Sequence, residues 1–300
     1  KIYKERNALG FHLSDPVLKA INYDLKNTVF SFIPNTAEAA FYGLLKGMED
    51  YLNKIKVQRI LSWGKDFDEE KLSEMIGRTI RVEKIANKDV KMRTFITEDV
   101  SRNELVQHVY DITYGSIKRH EDTVVVIDDS IVRGTTLRES IVRMISRLQP
   151  RRIIIVSSAP QIRYPDCYGI DMSKMGDFIA FQAAIALIKE RKMENVLQDI
   201  YNTCRELERN GQLHTENVVR NLYKPFTAEE VSKKIAELIT PPDITIPIDV
   251  IYQTIENLHA SCPTNTGDWY FTGNYPTPGG NKVVNKAFIN YMEGKNIRGY

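Results

Sequence analysis

Two adjacent acidic residues, Asp128 and Asp129, follow an apolar run, Val124–Ile127, near the middle of the 300-residue chain. Carboxylates at the end of a buried strand are costly unless ligand hydroxyl groups or a divalent cation compensate their charge. The segment Arg133–Thr136 comes shortly afterwards. Its glycine, Gly134, permits a tight turn, and its missing side chain permits close approach by a ligand. The amides that begin a following helix attract anions. The pattern predicts a phosphate site beside two carboxylates that bind hydroxyl groups.

A purely structural interpretation covers part of this segment. Thr136 and Glu139 have the spacing of a capping box, in which they would begin a helix without any ligand. That interpretation accounts for one threonine and one glutamate. It leaves Asp128, Asp129 and the Arg133-Gly134 pair unexplained, so we favour the ligand site.

The elements around these residues alternate between short apolar runs and amphipathic stretches. This alternation predicts an α/β protein with a mostly parallel sheet flanked by helices. The predicted strands are Thr28–Ile33, Arg59–Trp63, Thr123–Ile127 and Ile153–Val156. The predicted helices are Thr36–Leu52, Asp66–Ile76, Leu137–Leu148, Val196–Leu207, Ala228–Ile239 and Ile251–Leu258.

The remaining stretches are expected to be irregular. The basic run Arg81–Arg93 is interpreted as a solvated loop or as a mobile flap over an anion. Thr240–Pro247 is expected to form a rigid linker, and Pro- and Gly-rich coil is expected from residue 259 to Asn281. We expect residues 1–190 to form an α/β core, with residues 191–300 as a mostly helical extension packed on it.

Composition excludes several classes of protein. With 41 basic and 39 acidic residues, the formal charge of +2 gives no reason to expect a nucleic-acid binder. No apolar run approaches the roughly 20 residues that cross a membrane, and no secretory signal opens the chain. The scattered Cys167, Cys204 and Cys262 predict free thiols in a reducing compartment rather than disulfides or a local metal site.

The string from Ile127 to Thr136 resembles the phosphoribosyl pyrophosphate (PRPP) motif of type I phosphoribosyltransferases, in the form found in amidophosphoribosyltransferases. Further similarities to the latter lie in Arg93–Ile96, in Ser158–Pro160 with Tyr168–Asp171, and in Phe271–Gly273 with Tyr275–Thr277. The resemblance implies the type I phosphoribosyltransferase fold, a mostly parallel twisted sheet flanked by helices, here with a helical C-terminal extension.

The resemblance also implies roles for individual residues. Asp128 and Asp129 would hold the ribose hydroxyl groups and, with Mg²⁺, the pyrophosphate. The residues that would bind the 5′-phosphate are Arg133, Gly134, Thr135 and Thr136, and Ser130 would be a further PRPP-binding residue. Asn35, Thr36 and Ala37 stand where the family has its pyrophosphate loop, with Thr36 as a further candidate metal ligand. Lys91 and Arg93 would lie on a flexible loop that closes over PRPP. Together with Asp128 and Asp129, they would be the catalytic residues.

The implied reaction converts PRPP and ammonia to 5-phosphoribosylamine and pyrophosphate, the first step of purine synthesis. In the family, an N-terminal glutaminase domain supplies the ammonia from glutamine. The chain begins at Lys1 without that domain, so we expect it to be the C-terminal half of a longer polypeptide. We also expect a cytoplasmic homo-oligomer without nucleic-acid or membrane partners. No iron–sulfur cluster is expected, because Gly267 and Tyr270 occupy cysteine positions of cluster-bearing members.

The chain departs from the family pattern at Asn35, Thr36 and Ala37, which replace an acid, a serine and a glycine. One alternative is therefore a noncatalytic module that senses PRPP or a nucleotide. The other is a nucleobase-salvage phosphoribosyltransferase, which the run Ser130–Thr136 and the C-terminal similarities disfavour.

Overall fold

A computed structural model of the chain describes residues 1–34, 36–64, 68–88, 110–112, 115, 117–167, 172–265, 267–295 and 297–299, without the side chains of 86–88 and 110–112. Five parallel strands form the main sheet: β1 (Thr28–Phe32), β2 (Arg81–Val82), β5 (Thr123–Asp128), β6 (Arg152–Ser157) and β7 (Ile248–Tyr252). Their order across the sheet is β2-β1-β5-β6-β7, and β3 (Ala86–Lys88) pairs antiparallel with β4 (Tyr110–Ile112). The expected α/β class with a parallel sheet is confirmed.

Helices account for most of the remaining described residues. The α-helices are Ile2–His12, Ser14–Ala20, Glu38–Ser62, Glu69–Gly77, Arg143–Ser146, Ile179–Glu190, Glu194–Arg209, Ala228–Ile239, Ile255–Ser261, Trp269–Thr272 and Pro278–Met292. A π-helix spans Leu137–Val142, and 3₁₀-helices span Met175–Asp177 and Val218–Leu222. The C-terminal region is therefore largely helical, as predicted.

By packing, the chain divides into two compact units, each built from three separate segments. The first unit comprises Lys1–Asp129, Arg143–Ser158 and Ile244–Gln253, and it contains the whole five-stranded sheet. The second unit comprises Ser130–Val142, Ala159–Asp243 and Thr254–Tyr300. Both units are discontinuous in sequence, so they do not test the expected division into residues 1–190 and 191–300. That division stays a prediction.

The core of the first unit lies between one face of the sheet and the helices Ser14–Ala20 and Glu38–Ser62. Alternate strand residues point to this face, as the pleat requires, and they include Phe30, Val125 and Ile154. Leu13, the cap residue before Ser14–Ala20, and Leu44 of Glu38–Ser62 pack against them, and both are fully buried. Burial of each such side chain contributes about 1.5–3 kcal/mol, so this layer fixes the strands whose ends carry the candidate site.

Three expectations about secondary structure are wrong. Arg59–Trp63 is not a strand: its first residues continue the helix Glu38–Ser62, which ends at the cap residue Trp63. Ile251–Leu258 is not one helix, because Ile251 and Tyr252 complete β7 before a helix begins at Ile255. Short apolar runs of this kind do not distinguish a strand from a helix. The coil expected up to Asn281 contains two helices, and Pro278 suits the first turn of the second.

The basic run that begins at Arg81 is also more ordered at its start than a solvated loop. Arg81 and Val82 form β2 beside β1. Arg81 binds the buried carboxylate of Asp122 through two hydrogen bonds, Nη1 to Oδ1 at 2.6 Å and Nη2 to Oδ2 at 2.8 Å. This ion pair ties the edge strand to the residue that precedes β5.

Within the described residues, no helix combines the length and the apolar character needed to cross a membrane.

Candidate functional site

The strand β5 ends in the two predicted carboxylates. Its residues Val124–Ile127 are almost completely buried, whereas Asp128 and Asp129 are half-buried. The Asp129 amide donates a hydrogen bond of 2.8 Å to Oδ1 of Asp128. Ser158 holds the same turn from the end of β6, since its amide donates to the Asp128 carbonyl at 2.9 Å and its hydroxyl to the Asp129 carbonyl at 3.2 Å. Ligands of open α/β proteins bind at such carboxyl ends of strands.

The electrostatics of this pair favour a ligand. Burial, and next the charge of Asp129, raise the pKa of Asp128 to about 8. A pKa of about 8 means that ionising Asp128 costs free energy. Hydroxyl donors or a cation bound at the pair would reduce this cost. The pair is thus suited to bind a diol or a divalent cation.

The candidate pyrophosphate loop lies at the same edge of the sheet, because it follows β1, the neighbour of β5. Phe32 is paired with Ile127, and the amide of Ile33 donates to the Ile127 carbonyl at 2.9 Å. Thr36 is exposed. Ala37 begins the helix Glu38–Ser62 with a φ of −74°, which any residue adopts, so this position requires no glycine. Ala37 is fully buried, so its methyl group offers a ligand no contact.

The second unit contains the candidate phosphate cradle, Ser130–Thr136. Gly134 has a φ of +72°, and a Cβ there would lie 3.1 Å from Ile239 and 3.2 Å from Ile179. The Ile179 amide also holds the turn, through a hydrogen bond of 2.8 Å to the Val132 carbonyl. The expectation that the missing side chain leaves room for a ligand is therefore wrong. The glycine serves backbone conformation and packing.

The alternative interpretation of Thr136 as the start of a capping box is also wrong. Thr135 and Thr136 already lie in the first helical turn, because the Arg138 amide donates to the Gly134 carbonyl at 2.9 Å. Both threonine residues are exposed, and the π-helix Leu137–Val142 follows directly in place of the predicted α-helix. π-Helical turns are frequent at functional sites. The threonine hydroxyl groups therefore remain candidate donors to a ligand.

Arg133 has a partner that the sequence did not indicate. Its Nη2 lies 3.4 Å from Oδ2 of Asp177, at the end of the 3₁₀-helix Met175–Asp177. Both side chains are exposed, so the ion pair is weak in water. Binding of a phosphate at Arg133 would compete with Asp177.

Some predicted site residues lie outside the described residues. These are Asn35, Lys91 and Arg93, together with the similarity segments Arg93–Ile96 and Tyr168–Asp171. Their roles stay predictions.

The sequence analysis also missed Ser158 and Tyr252 as neighbours of the carboxylates. The Tyr252 hydroxyl is buried, with no hydrogen-bond partner among the described residues. Burial, and next the charge of Asp128, raise the pKa of Tyr252. Ser158 lies in the similarity segment Ser158–Pro160, which is a usable signal. Tyr252 lies in a strand that was interpreted as a helix, so nothing in the sequence pointed to it.

The carboxylate pair suits Mg²⁺ only if the substrate supplies further oxygen ligands. No group of three His, Cys, Asp or Glu side chains in the described part of the chain could hold a metal ion. Mg²⁺ is commonly bound through one or two carboxylates plus substrate phosphates and water. Asp128 and Asp129 fit that mode of binding, in which the substrate supplies further oxygen ligands.

Comparisons with known proteins agree with the motif. No protein-family model matches the chain. It is 31% identical over 166 residues to the amidophosphoribosyltransferase of Haemophilus influenzae, covering 55% of this chain and 32% of that protein. It is 37% identical over 93 residues to that of Schizosaccharomyces pombe, covering 29% and 17% respectively. The matched region thus spans at most about a third of these two relatives, at 32% and 17% of their length.

The fold agrees as well. The chain resembles the glutamine PRPP amidotransferase from B. subtilis, solved in complex with ADP and GMP, with a TM-score of 0.51 and 19% identity. This similarity covers 92% of the present chain and 43% of the other. The resemblance first seen in the motifs is therefore confirmed: the chain is related in sequence to the amidophosphoribosyltransferases and shares a fold with one of them.

Proposed function

We propose that this chain is a PRPP-dependent phosphoribosyltransferase of the amidophosphoribosyltransferase type, which converts PRPP and ammonia to 5-phosphoribosylamine and pyrophosphate. The observation that carries the proposal is the half-buried pair Asp128 and Asp129 at the end of β5. In sequence this pair leads directly into the Gly134 turn, whose φ of +72° suits a phosphate cradle. The similarity to amidophosphoribosyltransferases supports the same reaction.

The proposed roles follow from charge and donor type. Asp128 and Asp129 accept hydrogen bonds from the ribose 2′- and 3′-hydroxyl groups. Arg133, the hydroxyl groups of Thr135 and Thr136, and nearby amides, including that of Ser130, bind the 5′-phosphate, as donors at the start of a helix do. Fixing the sugar at both ends orients its anomeric carbon toward the nucleophile.

The bond between this carbon and pyrophosphate breaks while ammonia attacks, so negative charge builds up on the leaving group. Preorganised donors and cations stabilise such a transition state. We assign this role to Lys91, Arg93 and the loop that contains Asn35, Thr36 and Ala37. Mg²⁺, held by Asp128 and Asp129 with Thr36 nearby, would neutralise the pyrophosphate charge when bound. Closure of the loop that carries Lys91 would exclude water, which competes with ammonia.

Free ammonia is the proposed nucleophile for the chain as it stands, because its matched region covers only 32% of the H. influenzae relative. Use of glutamine is proposed to need the glutaminase domain of the family. Formation of phosphoribosylamine from glutamine by this chain alone would contradict that proposal. A cytoplasmic homo-oligomer without nucleic-acid or membrane partners, and the absence of an iron–sulfur cluster, stay predictions.

A second candidate function is a noncatalytic sensor of PRPP or nucleotides. The buried methyl group of Ala37 favours it, because the first turn after β1 then offers few ligand-binding side chains. Such a protein would keep the carboxylate pair and the cradle and would lack turnover.

Calorimetry with PRPP and Mg²⁺, followed by an assay of pyrophosphate release with ammonium chloride, tests the proposal. We expect binding that depends on Mg²⁺ and pyrophosphate release that depends on ammonia. Binding without release would favour the sensor. Release with adenine, guanine or orotate in place of ammonia would favour a salvage enzyme, and absence of binding would reject the site.

A further inference from the structure

A row of three polar side chains crosses the carboxyl edge of the sheet in the first unit. Asp128 of β5 is paired with Ser157 of β6, and Ser157 is paired with Tyr252 of β7. Residues directly opposite on neighbouring strands project to the same face. Two positions earlier the same register aligns Val126 and Ile155, both buried. The apolar face thus ends at this polar row.

The hydroxyl group of Tyr252 is the unusual member of the row. Its oxygen is buried and has no hydrogen-bond partner among the residues that the structure describes. Buried tyrosine hydroxyl groups nearly always have one, because their desolvation is otherwise uncompensated. A phenylalanine would fill the same space without that cost. The hydroxyl group is therefore not explained by the packing of the free protein.

The surroundings keep this hydroxyl group a donor. Burial, and next the charge of Asp128, raise the pKa of Tyr252, so it holds its proton throughout the physiological range. The Asp128 carboxyl group lies on the same face, and its Oδ1 already accepts from the Asp129 amide at 2.8 Å. A carboxyl group has room for several further hydrogen bonds. The Tyr252 hydroxyl group, a donor, and the Asp128 carboxyl group, an acceptor, thus lie in the same row.

We propose that Tyr252 is a positioning residue of the candidate site. Its hydroxyl group donates a hydrogen bond to the Asp128 carboxyl group in the ligand-bound arrangement and fixes that group toward the ribose hydroxyl groups. The ligand is a ribose phosphate bound with Mg²⁺, so this inference rests on the proposed function. Tyr252 touches Asp128 rather than the reacting atoms.

The test compares Tyr252→Phe with the wild-type chain by calorimetry with PRPP and Mg²⁺ and by thermal unfolding without ligand. We expect the dissociation constant to rise about tenfold, as for the loss of one hydrogen bond to a charged group. The melting temperature should be unchanged or higher, because an unpartnered hydroxyl group is removed. A hydroxyl group with a merely structural role would show the reverse pattern.

Tyr275→Phe is the matched control. The Tyr275 hydroxyl donates a hydrogen bond of 2.6 Å to the Pro165 carbonyl, so its removal should lower the melting temperature and leave PRPP affinity unchanged. Equal PRPP affinity of wild type and Tyr252→Phe would overturn the inference, as would a weaker affinity that comes with a lower melting temperature. Failure of the wild-type chain itself to bind PRPP would instead reject the proposed function and, with it, this role.

Discussion

The backbone amide of Asp129 donates a hydrogen bond of 2.8 Å to the carboxylate of Asp128. This bond turns the chain sharply at the end of β5 and keeps the two carboxyl groups adjacent. Burial, and next the charge of Asp129, disfavour ionisation of Asp128, so the pair gains most when a diol or a cation binds. The arrangement leads to the first two predictions.

The double variant Asp128→Asn with Asp129→Asn should lose measurable binding of Mg²⁺ and PRPP, because the amide groups cannot replace two anionic oxygen ligands. Calorimetry measures the binding, and circular dichroism verifies the fold. Asp50→Asn is the control for loss of charge, since Asp50 forms an exposed ion pair with Lys46. Wild-type affinity in the double variant would show that the site is assigned wrongly.

Stability should depend on pH through Asp128. Its pKa of about 8 in the folded chain lies well above the value of about 3.9 in an unfolded chain. Between these values the folded state holds a proton that the unfolded state has released, so stability falls as the pH rises. We expect the difference in unfolding free energy between wild type and Asp128→Asn to change by up to about 1.4 kcal/mol per pH unit.

Urea denaturation of both proteins between about pH 5 and pH 8 measures this difference, which falls within the window set by the two pKa values. Titrating groups distant from Asp128 contribute nearly equally to the two proteins and cancel. Parallel stability profiles would mean that Asp128 ionises normally in the folded chain.

The ion pair of Arg133 with Asp177 predicts a competition. Asp177→Asn should strengthen PRPP binding by up to about fivefold, since an exposed ion pair is worth at most about 1 kcal/mol. Arg133→Gln should weaken binding instead, and both variants should keep wild-type stability. Calorimetry measures the two affinities. Unchanged binding in Arg133→Gln would remove Arg133 from the phosphate site.

Gly134→Ala should destabilise the protein for two reasons. A left-handed backbone costs an alanine about 1–2 kcal/mol, and the new Cβ would press on Ile239 at 3.1 Å. Gly211→Ala isolates the first cost, because Gly211 has a similar φ of +69° and no atom of the described residues lies within 4 Å of its Cβ position. Chemical denaturation should show the larger loss for Gly134→Ala. Equal losses would mean that packing at Gly134 is relaxed.

The pair of Arg81 with the buried Asp122 should be important for stability. Burial alone would raise the pKa of Asp122, yet the hydrogen bonds from Arg81 and the Lys118 amide bring it below its usual value. Arg81→Gln leaves this carboxylate unpaired and should lower the unfolding free energy by about 3 kcal/mol. Arg78→Gln breaks an exposed pair with Glu74 and should change it by about 0.5 kcal/mol or less. Urea denaturation distinguishes the two, and similar losses would contradict the prediction.

Strong local patterns made part of the fold predictable from sequence. The continuous apolar run Thr123–Ile127 gave β5 within one residue, and the helix Ala228–Ile239 was predicted with its exact bounds. That helix has a pronounced apolar stripe and a capping box between Thr227 and Glu230. Arg59–Trp63 failed because a short apolar run at the end of a long helix resembles a strand.

The site was predictable where its residues are neighbours in sequence, as with Asp128 and Asp129. The relation of Asp128 to Tyr252 was not, because it depends on the register of three strands that are distant in the chain. The ion pair of Arg133 with Asp177 was not predictable either, because these two residues are also distant in the chain. Such contacts arise from tertiary packing, which local propensity does not encode.

The position of β7 limits how the protein can be shortened. This strand, Ile248–Tyr252, closes one edge of the sheet by pairing with β6. A truncation near residue 190 would remove it and leave the backbone amides and carbonyls of β6 open along that edge. Exposed edges of this kind recruit strands from other chains and promote aggregation. A fragment that keeps the sheet intact must therefore extend at least through Tyr252.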